Sequence, residues 1–262
     1  MSLQPEKQKN CALLEYVAAA QRITHNQLLE IALMKRISKD RKAFEWRARD
    51  LAERGLMKKQ KPAFLKGKIL YTITRAGINH LEVEGVHMLS LYAQPDGSEE
   101  NHQLPHSLEL NRVHIALMKT DALAQWRPSH HIRVLRQFDN TSYAKVYDAT
   151  AALVIDSRVH EIGIEYERSL KRAVKYERIL TSLCNKDNVQ AVVYLCPSYE
   201  ILRSLREVFS GFVRKPVLVA EHHQFIANPL DAPLEWQYAS TTLRNVLEEL
   251  RRRENKRDFT GR

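Results

Sequence analysis

The sequence predicts a mixed α/β protein in two parts, and three observations carry that prediction. In the first third, apolar residues at helical spacing give way to a short basic hairpin. Residues 92–105, YAQPDGSEENHQLP, form a polar stretch of turn formers and acids that reads as a linker. Beyond it, helical stripes alternate with apolar strand-like runs, the pattern of helices flanking a mixed sheet. A chain of 262 residues with 44% hydrophobic content supports two cores of this kind. The expected division is 1–91, a linker over 92–105, and 106–262 ending in a basic helix.

A formal charge of +10 favours a polyanionic partner, nucleic acid before a membrane surface. No stretch reaches the about 18 consecutive apolar residues of a membrane span, and MSLQPEKQKN lacks the apolar core of a signal peptide. Cys11, Cys184 and Cys196 stand singly with no CxxC, which suits reduced core thiols in a cytoplasm better than a zinc site or disulfide frame. The expected location is cytoplasmic.

In order along the chain, 10–20 has helical spacing, and Thr24 stands where a cap would precede a second helix, NQLLEIALM. A third helix follows Ser38, with Phe44, Ala48 and Leu51 inward and Gly55 as a left-handed stop. Lys39, Arg41, Lys42, Arg47 and Arg49 are then expected on or near its outward side. Two short strands follow, joined by a basic loop with Pro62 and Gly67 that carries Lys58, Lys59, Lys61, Lys66 and Lys68, and YTITRAG leads into a further helix at 78–81. From Lys35 to Lys68 there are thirteen basic residues against four acids, more one-sided than a merely solvated face.

The second part opens with a helix in which His106, Leu110, Val113 and Leu117 share one stripe, and HHIRVLRQF reads as an alternating strand. Next comes a hairpin, DATAALVIDSRVHEIGIEYERSLK. Its strands flank Asp156-Ser157-Arg158, and Ile162, Ile164 and Tyr166 fall on one face with Glu161, Gly163, Glu165 and Glu167 on the other. With a two-residue turn at Asp156-Ser157, Asp148 lies opposite Glu165. Asp148, Glu165 and Glu167 then converge with Lys171 just beyond, and oxygen donors at this density suit Mg²⁺ or Mn²⁺. A solvated face balanced by Arg168, Lys171 and Arg172 is the bland alternative. A helix over about 169–184, a strand VQAVVYLC, a helix from 199 to 209, a strand PVLVAEHHQF and a C-terminal amphipathic helix complete the chain. The pairs His130-His131 and His222-His223, read on strands, point to opposite faces and chelate poorly.

Three resemblances follow from these residues. Three helices and a basic hairpin, with Leu51…Gly55-Leu56, the 58–68 wing and YTITRAG, resemble winged helix-turn-helix domains, which implies a third helix in the major groove and a wing on the backbone. The order helix, hairpin with Asp…Glu-x-(acid or Lys), helix, strand resembles the PD-(D/E)xK nuclease fold of restriction enzymes. By that resemblance Asp148 and Glu165, with Glu167, hold the metal that polarises the scissile phosphate and activates water. Glu167 departs from the pattern by standing where the motif has Lys, which moves the lysine role to Lys171. The whole pattern, including LPHSLELNRVHIAL and IEYERSLKRAVKYERI, is similar to the plasmid replication-relaxation family and, within it, MobC-type conjugative relaxases. The similarity implies binding of double-stranded DNA at an origin of transfer, a strand-specific nick, and transfer partners such as a coupling protein. His106, Asn111, Lys175 and Tyr176 take accessory positions by the same similarity. The alternatives are a non-catalytic DNA-binding regulator or accessory protein that kept the nuclease fold, and a double-strand defence nuclease acting as a dimer.

Overall fold

The computed structural model describes residues 5–86, 103–138, 143–185 and 187–260, so 87–102, including most of the expected linker, lies outside the described residues. The chain is mixed α/β in two compact units, 1–115 and 116–262.

The first unit runs α1 (Pro5–Ala20), β1 (Ile23–Thr24), α2 (His25–Met34), α3 (Arg41–Glu53), β2 (Met57–Gln60), β3 (Leu70–Ile73) and α4 (Arg75–Val83). Thr24 caps α2 in a reciprocal box with Gln27, satisfying two backbone N–H groups that helix ends otherwise leave unpaired. Asp40 caps α3 by accepting from Ala43 N at 2.7 Å. At the other end of α3, Gly55 adopts φ +71°, Gly55 N donates to Ala52 O, and Leu56 N donates to Leu51 O. That is the Schellman closure, which requires the left-handed conformation glycine adopts at little cost. The three strands form an antiparallel sheet in the order β1-β3-β2. Leu13, Leu14, Ile23, Leu28, Phe44, Leu51, Ile73 and Ile78 are all buried.

The helix α5 (Leu104–Met118) crosses the division between the units, with residues up to Ile115 in the first. The expected boundary at 105/106 is thereby displaced, and tertiary hydrogen bonds are the reason. Asn111 donates to Arg22 O at 2.8 Å, and Gln27 donates to Leu108 O at 2.8 Å.

The second unit continues with β4 (Leu123–Pro128), α6 (Ser129–Phe138), β5 (Ala149–Ile155), β6 (Arg158–Tyr166), α7 (Ala173–Leu183), β7 (Ala191–Cys196), α8 (Tyr199–Phe209), β8 (Val217–Glu221), α9 (His222–Ala227), β9 (Leu234–Trp236), β10 (Ala239–Thr241) and α10 (Leu243–Thr260). Its seven strands lie in sequence order from β4 to β10. Strands β4, β5 and β6 are antiparallel, β6, β7 and β8 parallel, and β8, β9 and β10 antiparallel. Every residue of β7 is buried, as expected of a strand covered on both faces. Over one face, Tyr147, Val192, Tyr194 and Val217 pack with Tyr176 and Leu183 of α7 and Leu205 and Phe209 of α8.

Three expectations are corrected here. HHIRVLRQF is the helix α6, and the strand is the preceding segment, 123–128. A short apolar run fits either period, and the pairing edge of β5 is occupied by β4. Likewise PVLVAEHHQF is a strand only to Glu221, after which His222 opens α9, and the β9–β10 hairpin was not anticipated.

Candidate functional site

The β5–β6 hairpin turns through Asp156 and Ser157 alone, both at positive φ (47° and 64°), as a two-residue turn matched to strand twist requires. Ile155 faces Arg158, and the register continues to Ala149 opposite Ile164. That register brings Asp148, at the mouth of the hairpin, opposite Glu165. Asp148 Oδ2 accepts from Tyr166 N at 2.9 Å, which fixes the carboxylate against the partner strand.

Glu165 is buried, and Lys145 Nζ reaches its Oε1 at 2.5 Å. Burial holds its carboxyl above the ordinary range, the Asp148 carboxylate pushes further the same way, and Lys145 opposes both. On the neighbouring parallel strand, Tyr194 stands in register with Glu165. Its phenol is raised by burial and by the charges of Glu165, Glu167 and Asp148, so all three acids act on one hydroxyl. That hydroxyl is buried and has no hydrogen-bond partner among the described residues.

Glu167 lies just past the end of β6, where its N–H donates to Leu195 O at 2.8 Å, and its buried side chain accepts from Lys171. Among the described residues no group of three or more His, Cys, Asp or Glu is arranged to hold a metal. The expected set of Asp148, Glu165 and Glu167 is thus not gathered as one three-acid group: Glu165 is paired with Lys145 and Glu167 with Lys171. Glu161, on the same hairpin face, accepts from Arg127, Tyr143 and Thr150 and is structurally satisfied.

Of the accessory positions, Lys175 is exposed on α7. Tyr176 is a core aromatic, edge-on to Phe209, and its hydroxyl accepts from Lys171 N at 3.2 Å. His106 and Asn111 lie on the part of α5 that belongs to the first unit. Sequence reasoning missed Lys145 and Tyr194. Lys145 stands twenty positions from the acid it contacts (|i−j| = 20), and only folding of the chain before β5 brings them together.

In the first unit, Lys39, Arg41, Lys42 and Arg49 are exposed on or next to α3, as are Lys58, Lys59, Lys61, Lys66 and Lys68 on β2 and the loop beyond. Arg47 is not with them. It is buried, its Nη2 lies 2.8 Å from Glu6 Oε2, and its Nη1 donates to Asn10 of α1. Phe44, Arg47, Ala48 and Leu51 lie three or four apart, so Arg47 falls on the inward stripe and not the outward one. The histidine pairs belong to helices, where neighbours diverge by about 100°. His130 and His131 stack edge to face at 4.7 Å, and burial holds their pKa values down to about 3 and about 4.

No helix among the described residues is long and apolar enough to cross a membrane. Comparison with protein-family models, curated proteins and solved structures gives no match to this chain.

Proposed function

We propose that the protein binds DNA through a winged-helix first unit and nicks one strand with a PD-(D/E)xK-like second unit, in the manner of a plasmid relaxase acting at an origin of transfer. The observation that carries the proposal is the placement of Asp148 directly across from Glu165, at the end of a hairpin followed by a helix and a parallel strand. The helix, strand, helix, helix, strand, strand order of the first unit and its exposed lysines support the DNA-binding half.

Mg²⁺ or Mn²⁺ fits this pair. Hard oxygen donors face each other there from β6 and from the residue just before β5, the buried Tyr194 hydroxyl in register with Glu165 has no partner among the described residues, and Mg²⁺ is commonly held by only one or two protein carboxylates with phosphate and water completing its shell. When bound, the ion polarises the scissile phosphate and lowers the pKa of an attacking water. Asp148 and Glu165 hold and orient it. Glu167 is paired with Lys171 just past the end of β6.

Supercoiled plasmid carrying the cognate origin, incubated with protein and Mn²⁺, is expected to convert to open circles, and Asp148→Ala and Glu165→Ala to abolish the conversion. DNA retardation without nicking sinks the catalytic half, and linear product favours a double-strand nuclease. A non-catalytic DNA-binding regulator or transfer accessory protein is the second reading. It is favoured by one observation: Glu165 and Glu167 each already carry a lysine counter-ion.

A further inference from the structure

We propose that Lys145, and not Lys171, is the lysine of the Asp148–Glu165 site, where it orients the attacking water and stabilises charge on the phosphate. The proposal rests on the nuclease reading and deepens it. A phosphodiester-cleaving site of this kind needs a compact cation beside the acid pair, held in place before substrate arrives. Lys145 meets that need at 2.5 Å from Glu165 Oε1, while Lys171 contacts Glu167, beyond the paired end of the hairpin.

Burial separates the two lysines further. The Lys145 side chain is 17% exposed and that of Lys171 is 35% exposed, so the first is built into the fold and the second stands at its rim. Lys145 is also positioned by the core. Its Nζ lies 5.2 Å from the centre of the Tyr147 ring, which is fully buried and tied by its hydroxyl to Asp187. Asp187 is in turn held by Lys215 at 2.9 Å. The ring packs against Gly163, where a Cβ atom would stand 2.8 Å from it, so a larger residue on that strand would displace the platform on which Lys145 rests.

The water oxygen bonds to phosphorus, the bond from phosphorus to the bridging ester oxygen breaks, and the departing oxygen gains a proton as the water loses one. Lys145 donates hydrogen bonds to the attacking water and to a non-bridging phosphate oxygen, and Glu165 is the acid that keeps it in line.

Wild-type protein, Lys145→Gln and Lys171→Gln would be compared in Mn²⁺-dependent nicking of supercoiled DNA, and in the rise of melting temperature that Mn²⁺ induces without DNA. Lys145→Gln is expected to nick on the order of 10²–10³ times more slowly. It should keep the Mn²⁺-induced rise, because Asp148 and Glu165 remain and Glu165 has lost a competing cation. Lys171→Gln is expected to nick at close to the wild-type rate. Wild-type nicking by Lys145→Gln, or loss of nicking in Lys171→Gln alone, overturns the assignment. Should the glutamine variant fail to fold, Lys145→Arg keeps the ion pair and still slows nicking, since a planar fork does not replace a compact ammonium; full activity in it overturns the assignment too. Wild-type protein that neither nicks DNA nor gains stability from Mn²⁺ removes the nuclease reading itself, whereas active wild type with an indifferent Lys145 removes only this proposal.

Discussion

Arg47 belongs to a strongly basic stretch of the chain, yet its guanidinium faces inward and ties α3 to Glu6 and Asn10 of α1. Lys42, five positions earlier, is exposed. The two residues should therefore fail in different ways. Arg47→Ala is expected to destabilise the first unit by about 1–3 kcal/mol, through lost packing of the buried stem more than through the exposed Glu6 carboxylate, and chemical denaturation reads this directly. Lys42→Ala should leave stability unchanged, weaken DNA binding across sequences, and reduce the magnitude of the salt-dependence slope by about 1, measured by fluorescence anisotropy at several ionic strengths. An unaltered slope would count against α3 as the DNA-facing helix.

At the level of elements, the acidic hairpin depends on a turn whose second residue, Ser157, is poorly suited to it. Asp156 and Ser157 both sit in left-handed backbone, which costs a side-chain-bearing residue about 1–2 kcal/mol and glycine little. Ser157→Gly should thus raise stability by about 0.5–1 kcal/mol without changing the register of Asp148 and Glu165, a gain visible as a later urea midpoint. A loss of stability would mean that the serine side chain contributes something the turn geometry does not explain. The helices divide differently. The cap at Thr24 and the glycine stop at 55 are local devices legible before any packing is known, whereas α3 starts after an Asp40 cap and not directly after Ser38 as expected. The helical state of α6 was not legible, because its apolar residues satisfy two periods at once.

For the whole molecule, buried histidines set the response to acid. Burial holds His114 in the first unit at about 3, and His130 and His131 in the second at about 3 and about 4, against 6.5 when exposed. A depressed folded pKa contributes stability that is complete above about 6.5 and is lost as pH falls through the folded values, since the unfolded chain takes up protons first. Glu165 runs the other way: its raised pKa contributes stability at low pH that is lost as the pH rises through the folded value. With two histidines opposing one carboxyl in the second unit, its stability should fall by roughly 2–4 kcal/mol as pH drops from 6.5 to about 4, read as an earlier denaturation midpoint. A flat midpoint over that interval would show that these imidazoles are hydrated in solution.

The sequence by itself determined the mixed α/β class, the basic first third, the Thr24 cap and Gly55 stop, and the hairpin whose two-residue turn puts Asp148 opposite Glu165. These features follow from local rules: a side-chain period of two, a cap residue beside the helix it serves, and charge counted along the chain. Tertiary structure alone decided where α5 belongs, which way Arg47 points, and which lysine reaches Glu165. Each of those depends on partners 20 or more positions away, supplied by packing that no local pattern encodes.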